Sequence, residues 1–288
     1  MRGLFTYFVF ASWWVALCAG TMGLLTWLEL TGFWWNLPLF SFILGSTLVI
    51  YNLNMISGLN DLRQMGSHSE RHQWCMKNEK LLKLTFAIGL AIAGVSIWFL
   101  NPIIWLLVMP LSLVAFAYTV PVVRINASII RIREIGLWKI FLIAAVWTGM
   151  TVILPAMEHH GLAQIIDPLT WRLALGRALF IFAITIPFDV RDLLNDMKKG
   201  VRTIPSAMGW KRSVVLAELV LILFISFVSI TLGINHPFFL GYAISTVMAM
   251  ILVALVNPER SDMYCSFWVE GTMIFQFAFV LIISKQLN

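Results

Sequence analysis

The 288 residues are 60% hydrophobic and 12% charged, with a formal charge of +6. Soluble domains carry roughly a quarter charged residues, so this shortfall excludes an ordinary water-soluble protein. With no soluble basic domain to hold it, nucleic acid is excluded as a partner.

A transmembrane helix needs about 20 apolar residues, and such runs occur near 6–29, 34–56, 81–100, 103–122, 137–157, 170–190, 213–233, 237–256 and 265–284. The expected fold is all-α, an integral membrane bundle of about nine helices forming a single polytopic membrane domain over 1–288. The first run is too long for a signal-peptide core and is preceded only by Arg2, so no cleavable signal is expected. The second ends on Asn52 and Asn54 and leads into a polar connection, 57–80, that carries Asn60, Asp61 and Arg63. Within it, "SHSERHQWC" offers His68, Glu70, His72 and Cys75. No second ligand pair lies on that side, so the stretch reads as a solvated loop rather than a zinc site. Asn101-Pro102 separates the third run from the fourth.

"YTVPVVR" follows the fourth run and places Tyr118 and Arg124 at the membrane boundary. Lys139 opens the fifth run and is expected to snorkel to the surface. "MEHHGLAQIIDPLTW", 157–171, reads as a short interfacial helix, and Arg177 beyond it as a second snorkelling base. Glu218 and Glu270 sit inside apolar runs and must face the bundle or bond a neighbouring helix. Cys18, Cys75 and Cys265 form no CxxC pair and read as packing residues.

With nine spans, the N-terminus and the connections after even-numbered helices share one side. Of the 20 Lys and Arg, only Arg172, Arg177 and Lys285 fall on the other, a bias of 17 to three. Basic loops stay inside, so the charged connections are expected in the cytoplasm and the protein in a prokaryotic cytoplasmic (inner) membrane. Two of those connections are long, 57–80 and 191–212. Each follows a helix with a polar last turn, four helices apart, an architectural repeat that brings both helix ends to one pocket.

The sharpest stretch is "PFDVRDLLNDMKKGVRTIP", 187–205, directly after apolar "LALGRALFIFAIT". At 100° per residue, Asp189, Asp192 and Asp196 fall within about 60° on one helical face and span roughly 10 Å. Three like charges there need compensation. Pairing with Arg191, Lys198 or Arg202, or simple solvation, is one answer. A divalent cation is the other: Mg2+ takes oxygen ligands, commonly one or two carboxylates plus phosphate oxygens. Asp192 and Asp196, one turn apart, suit a hydrated ion, and Lys198, Lys199 and Arg202 suit the remaining charge of a diphosphate.

"DVRDLLNDMKKGVRTIPSAMG" resembles the second aspartate-rich motif of the UbiA superfamily of intramembrane prenyltransferases. Asp189, Asp192, Asp196, Gly200, Arg202, Thr203, Pro205 and Gly209 occupy the matching positions. The resemblance implies a nine-helix bundle in which an isoprenoid diphosphate lies with its head at the cytoplasmic mouth. It implies catalytic, Mg2+-holding roles for Asp189, Asp192 and Asp196, and prenyl transfer to an aromatic, quinone-precursor or other lipophilic acceptor. Tyr118 and Arg124 match the family's Tyr-x-x-Pro element and a following base, which implies a pocket-lining and a phosphate-meeting role.

The first motif of the family, N-x-x-x-D-x-x-x-D, corresponds to "YNLNMISGLNDLRQ", 51–64. Asn52 matches, while Ile56 and Asn60 stand where the aspartates belong. Three outcomes are open: one-metal catalysis aided by Arg63 or Arg71, a shifted site using Asp61, or lost activity with retained isoprenoid binding. An intramolecular acceptor would make the protein a membrane terpene cyclase. The substrate-binding set expected on this basis is Asn52, Asn60, Asp61, Arg63, Tyr118, Arg124, Lys198, Lys199 and Arg202.

Overall fold

Apolar segments of this length satisfy their backbone amides in lipid only by coiling into helices. The computed structural model describes residues 2–65, 69–121, 123–125, 128–130, 132, 136–198 and 200–287. Its main elements in chain order are α1 (Arg2–Phe10), α2 (Trp13–Thr31), α3 (Leu37–Met65), α4 (Glu70–Lys77), α5 (Glu79–Ser96) and α6 (Trp105–Thr119). A short antiparallel hairpin follows, β1 (Val123–Ile125) paired with β2 (Ser128–Ile130). Then come α7 (Trp138–Thr148), a π-helical turn (Gly149–Ile153), α8 (Leu154–His160), α9 (Leu162–Ile166) and α10 (Pro168–Lys198). The chain closes with α11 (Ile204–Met208), α12 (Trp210–Leu232), α13 (Pro237–Ala254), a second π-helical turn (Tyr264–Val269) and α14 (Glu270–Leu287).

Among the described residues, nine helical stretches are long and apolar enough to cross a membrane, in register with the nine runs of the sequence. The all-α membrane bundle is therefore the observed fold, the hairpin being the one extended piece among the described residues. Asn101 explains the break between the third and fourth spans: its side chain accepts the Ile103 amide at 3.1 Å and caps a fresh turn that begins at Pro102. The stretch expected as one interfacial helix is divided instead. Residues 157–160 complete the fifth span, Gly161 (φ +59°) breaks the helix, and α9 contributes a single turn.

The core forms where α2, α10, α12, α13 and α14 meet, around Met22, Phe180, Leu221, Phe224, Ala249 and Val280. A smaller cluster joins α3 to the fourth and fifth spans through Leu39, Ile43, Ile104 and Leu154. Lipid offers no hydrophobic drive between helices, so close backbone approach supplies the packing energy. A Cβ at Gly241 of α13 would lie 2.6 Å from the Val280 backbone of α14, and one at Gly45 would lie 2.7 Å from the Ala93 amide of α5. Gly241→Ala is expected to force α13 from α14 and cost about 1–3 kcal/mol. An unchanged thermal midpoint for the purified variant would show that the two helices do not pack this closely.

Helix α10 positions the charged stretch. Its 31 residues extend about 46 Å at 1.5 Å per residue, whereas the hydrocarbon core is about 30 Å thick. Counted from Pro168, about ten residues overhang, and these carry Asp189 to Lys198. Gly200, at φ +67°, ends the helix in a Schellman arrangement: the Val201 amide donates to Asp196 O at 2.9 Å, and the Gly200 amide to Met197 O at 3.2 Å. The Thr203 amide then donates to Ser206 Oγ, Pro205 opens α11, and Gly209 (φ +85°) passes the chain to α12. The glycines and proline of the motif thus set helix ends.

Candidate active site

Asp189 and Asp196 sit two turns apart on α10, and both face the start of α7. Lys139 reaches across with its Nζ 2.7 Å from Asp189 Oδ1 and 3.8 Å from Asp196 Oδ2. The Asp189 side chain is 5% exposed and that of Lys139 16%. Lys139 therefore turns into the bundle rather than snorkelling to the surface, because a buried carboxylate there outweighs access to water. Gly136, at φ +80°, lets the chain before α7 pass close to the Arg202 backbone, which brings Lys139 to the end of α10.

Asp192, between the other two, is 34% exposed and takes a bidentate pair from Arg191, Nε and Nη2 each at 2.9 Å. Arg191 Nε also lies 3.3 Å from Asp262 Oδ1. Asp262 in turn accepts from Ser69 Oγ at 2.6 Å and from the Arg71 amide at 2.9 Å, so it holds the first turn of α4. Arg71 Nη2 donates to Ser12 Oγ at 3.2 Å, and Ser12 sits at φ +71° where α1 gives way to α2. One chain of polar contacts thus joins the two long connections through Asp262 and the first turn of α4. His72 lies within the same electrostatic neighbourhood; burial holds its imidazole below the usual range, against the opposing pull of Asp192.

Pro187 precedes this cluster by half a turn. It has no amide to donate within α10, and its carbonyl receives Cys265 Sγ at 3.8 Å from the second π-helical turn. The start of the ninth span and the charged end of the sixth are therefore packed together. Asp262 and Lys139 are the members that a site assignment confined to the motif leaves out, whereas Arg191 stands within it. For Asp262 the sequence offered only an acid near Glu259 and Arg260 in a short connection.

The expected binding residues are distributed unevenly. Asn52 is fully buried; its Nδ2 donates to Ala11 O at 3.1 Å and Leu48 O at 2.8 Å, and its Oδ1 has no partner. Tyr118 lies close enough to Lys139 and Tyr51 to interact electrostatically with both. Asn60 and Arg63 are exposed and bonded to each other, with Arg63 Nη2 2.6 Å from Glu79 Oε2. Lys198 and Arg202 are exposed at the end of α10 and just beyond it. Of Asp61 and Arg124 only the backbone is described, in α3 and β1, and Lys199 and His68 lie outside the described residues. Ile56, at the first aspartate position of the degenerate motif, packs with Leu59, Cys75 and Leu82.

Among the described residues no three His, Cys, Asp or Glu side chains converge as a metal cage. The charge balance is more informative. Asp189, Asp192, Asp196 and Asp262 bring four negative charges and Lys139, Arg191 and the adjoining Arg71 three positive ones, leaving the cluster net negative by one. A bare diphosphate would be repelled from such a cluster; one accompanied by a divalent cation would not. The α10 carboxylates are the type of oxygen donor an ion shared with phosphate takes, but both oxygens of Asp192 are bound by Arg191 here and would have to leave it. The first-motif position, with Ile56 in an apolar cluster, does not fit a second.

A model of the UbiA prenyltransferase family matches residues 78–276. No curated protein matches the chain. Among solved structures, a UbiA homologue from Archaeoglobus fulgidus bound to GPP and Mg2+ is similar with a TM-score of 0.63 at 9% identity, over 97% of this chain and 99% of that one. A digeranylgeranylglyceryl phosphate synthase has a TM-score of 0.59 at 17% identity, over 99% and 100% of the two chains. The apo UbiA homologue from Aeropyrum pernix K1 has 0.59 at 16%, over 95% of each. These likenesses carry the fold, and the family match covers well over half the sequence: the chain belongs to the UbiA prenyltransferase family.

Proposed function

We propose that this protein transfers a prenyl group from an isoprenoid diphosphate to a lipophilic acceptor at the α10 mouth of the bundle. The observation that carries the reading is the alignment of Asp189, Asp192 and Asp196 on the overhanging turns of α10 in a chain of this family. In this reading the mouth faces the cytoplasm of a prokaryotic inner membrane, as the 17-to-three distribution of bases supports.

Asp192 and Asp196 would hold Mg2+, which supplies charge neutralisation of the diphosphate as the allylic C–O bond breaks. Lys139, 2.7 Å from Asp189 and 3.8 Å from Asp196, offsets their charge and is placed to meet phosphate oxygens. Lys198 and Arg202 collect the head group from water and stabilise the charge that builds on the departing diphosphate. The acceptor's electron pair closes on the allylic carbon, and its proton leaves to water at the mouth. The apolar walls of the bundle keep water from the cation during that interval. Asn52 keeps the leading position of the first motif but is fully buried, its amide nitrogen tied to Ala11 O and Leu48 O.

One observation favours a second reading, isoprenoid binding without transfer: Ile56 and Asn60 leave the first motif without its aspartates. Pyrophosphate release by the purified protein separates the two. With Mg2+, an allylic diphosphate and an acceptor series, release is expected and is expected to cease on chelation. Retained diphosphate binding with no release at any chain length would establish the second reading instead.

A further inference from the structure

Glu270 opens α14 directly after the second π-helical turn, five residues or about 7 Å deeper in the ninth span than Cys265. It is 8% exposed, and nothing in the transfer step described above uses it. Its backbone carbonyl receives Cys18 Sγ at 3.3 Å. Its carboxyl group, in contrast, has no hydrogen-bond or ion-pair partner among the described residues. A carboxyl group inside a bundle is costly unless it is paired or set against a cavity. Neither oxygen is shut away as Asn52 Oδ1 is; both keep surface within reach of a water-sized group.

The neighbours show which space the group faces. Glu270 is near enough to interact electrostatically with Cys18 of α2, Tyr51 of α3, Arg71 of α4 and Arg191 of α10. Four elements surround it, so the carboxyl group points into the bundle and away from lipid. Tyr51 interacts in the same way with Tyr118, and Tyr118 with Lys139, whose Nζ lies 2.7 Å from Asp189. One polar path therefore descends from the α10 carboxylates to Glu270. Helical side chains tilt toward the N-terminus, and the N-terminus of α14 lies at the charged end, so the carboxyl group is aimed back at the mouth. The π-helical turn before it is of a kind that recurs at functional sites.

The chemistry of the group narrows its ligand. A carboxyl oxygen accepts an O–H in either protonation state. A diphosphate brings acceptors of its own and an isoprenoid tail brings neither donor nor acceptor, which leaves the second reactant. We infer that Glu270 binds the hydroxyl of the prenyl acceptor, its carboxyl oxygen taking the O–H and turning the acceptor oxygen toward the allylic carbon. The acceptor class is thereby an alcohol or a phenol, an assignment that rests on the prenyl-transfer reading. On transfer, the acceptor oxygen bonds to the allylic carbon, the diphosphate leaves with the electron pair of the broken C–O bond, and the O–H proton passes to water at the mouth.

Binding of naphthol to the purified protein, without Mg2+ or diphosphate, is compared with binding of its methyl ether, which keeps the rings and the oxygen but has no O–H. After correction for partition into detergent, the parent should prefer naphthol by about tenfold, and Glu270→Leu should lose that preference. Glu270→Gln, which keeps one oxygen, should retain part of it. The thermal midpoint of Glu270→Leu should stay level or rise, since no partner is stranded. Equal binding of the two probes by the parent, a preference that survives Glu270→Leu, or a midpoint lower by several degrees would overturn the site. In pyrophosphate release, Glu270→Leu should raise the acceptor concentration for half-maximal rate by about tenfold and leave that for the diphosphate in place; the reverse pattern would overturn the assignment to the acceptor. Absence of release in the parent would remove prenyl transfer, and the naphthol comparison would still decide whether Glu270 binds a hydroxyl.

Discussion

Asp192→Asn is expected to reduce prenyl transfer by about 10²–10³-fold while leaving the protein folded. The change keeps the shape of the side chain and removes only its charge. Arg191 retains Asp262 at 3.3 Å, so the contact between α10 and the ninth span survives. What is lost is one of the two carboxylates to which the proposed reaction assigns the ion, the one of the three that is a third exposed and that must first leave Arg191. The effect should reside in the single-turnover rate, and the Mg2+ concentration for half-maximal rate should rise. Asp196→Asn should behave in the same way. Undiminished turnover in both would remove α10 from the chemistry and leave the family fold without an assigned centre.

Lys139→Met is expected to produce the largest loss of stability, about 3–5 kcal/mol, because it leaves Asp189 buried without its counter-charge. In a thermal scan that corresponds to a fall on the order of 10 °C. Removing both partners has a different consequence. Lys139→Met with Asp189→Leu replaces a desolvated pair by apolar groups of similar size, so most of the midpoint should return. Turnover should not return with it, since the proposed reaction places Asp189 and Lys139 beside the diphosphate. Recovery of stability and activity together would mean that the pair is structural only. Failure of the double variant to recover stability would mean that Asp189 is held chiefly by partners other than Lys139.

The nine spans were legible because hydropathy is a local property and a 20-residue run admits few alternatives to a helix. Asn101-Pro102 was legible for the same reason: a capping side chain and a ring that cannot donate act within one turn. Gly200, Pro205 and Gly209 were legible as pattern, and the structure gives them their meaning as helix terminators. The partners were not legible. Whether a lysine or arginine near a membrane boundary extends to water or folds inward depends on what lies opposite. For Lys139 that is Asp189, 50 residues away, and for Arg177 it is Met22 and Thr26, some 150 residues away. Snorkelling is a sound expectation for an isolated helix, and it failed twice where a neighbour supplied a carboxylate or a carbonyl. Asp262 escaped for a related reason. An acid in a short polar connection, with Glu259 three residues before it, looks like solvated surface until the chain folds back and places it between Arg191 and the first turn of α4.

The length of α10 has a consequence for the bilayer in which the protein works. Cellular membranes differ in hydrocarbon thickness by only a few ångströms, from about 27 Å to about 33 Å. Counted from Pro168, a core of about 33 Å takes about 22 residues and just reaches Asp189, whereas Asp192 and Asp196 stay clear of the acyl chains at either extreme. The two outer carboxylates of α10 are thereby spared the variation in bilayer thickness.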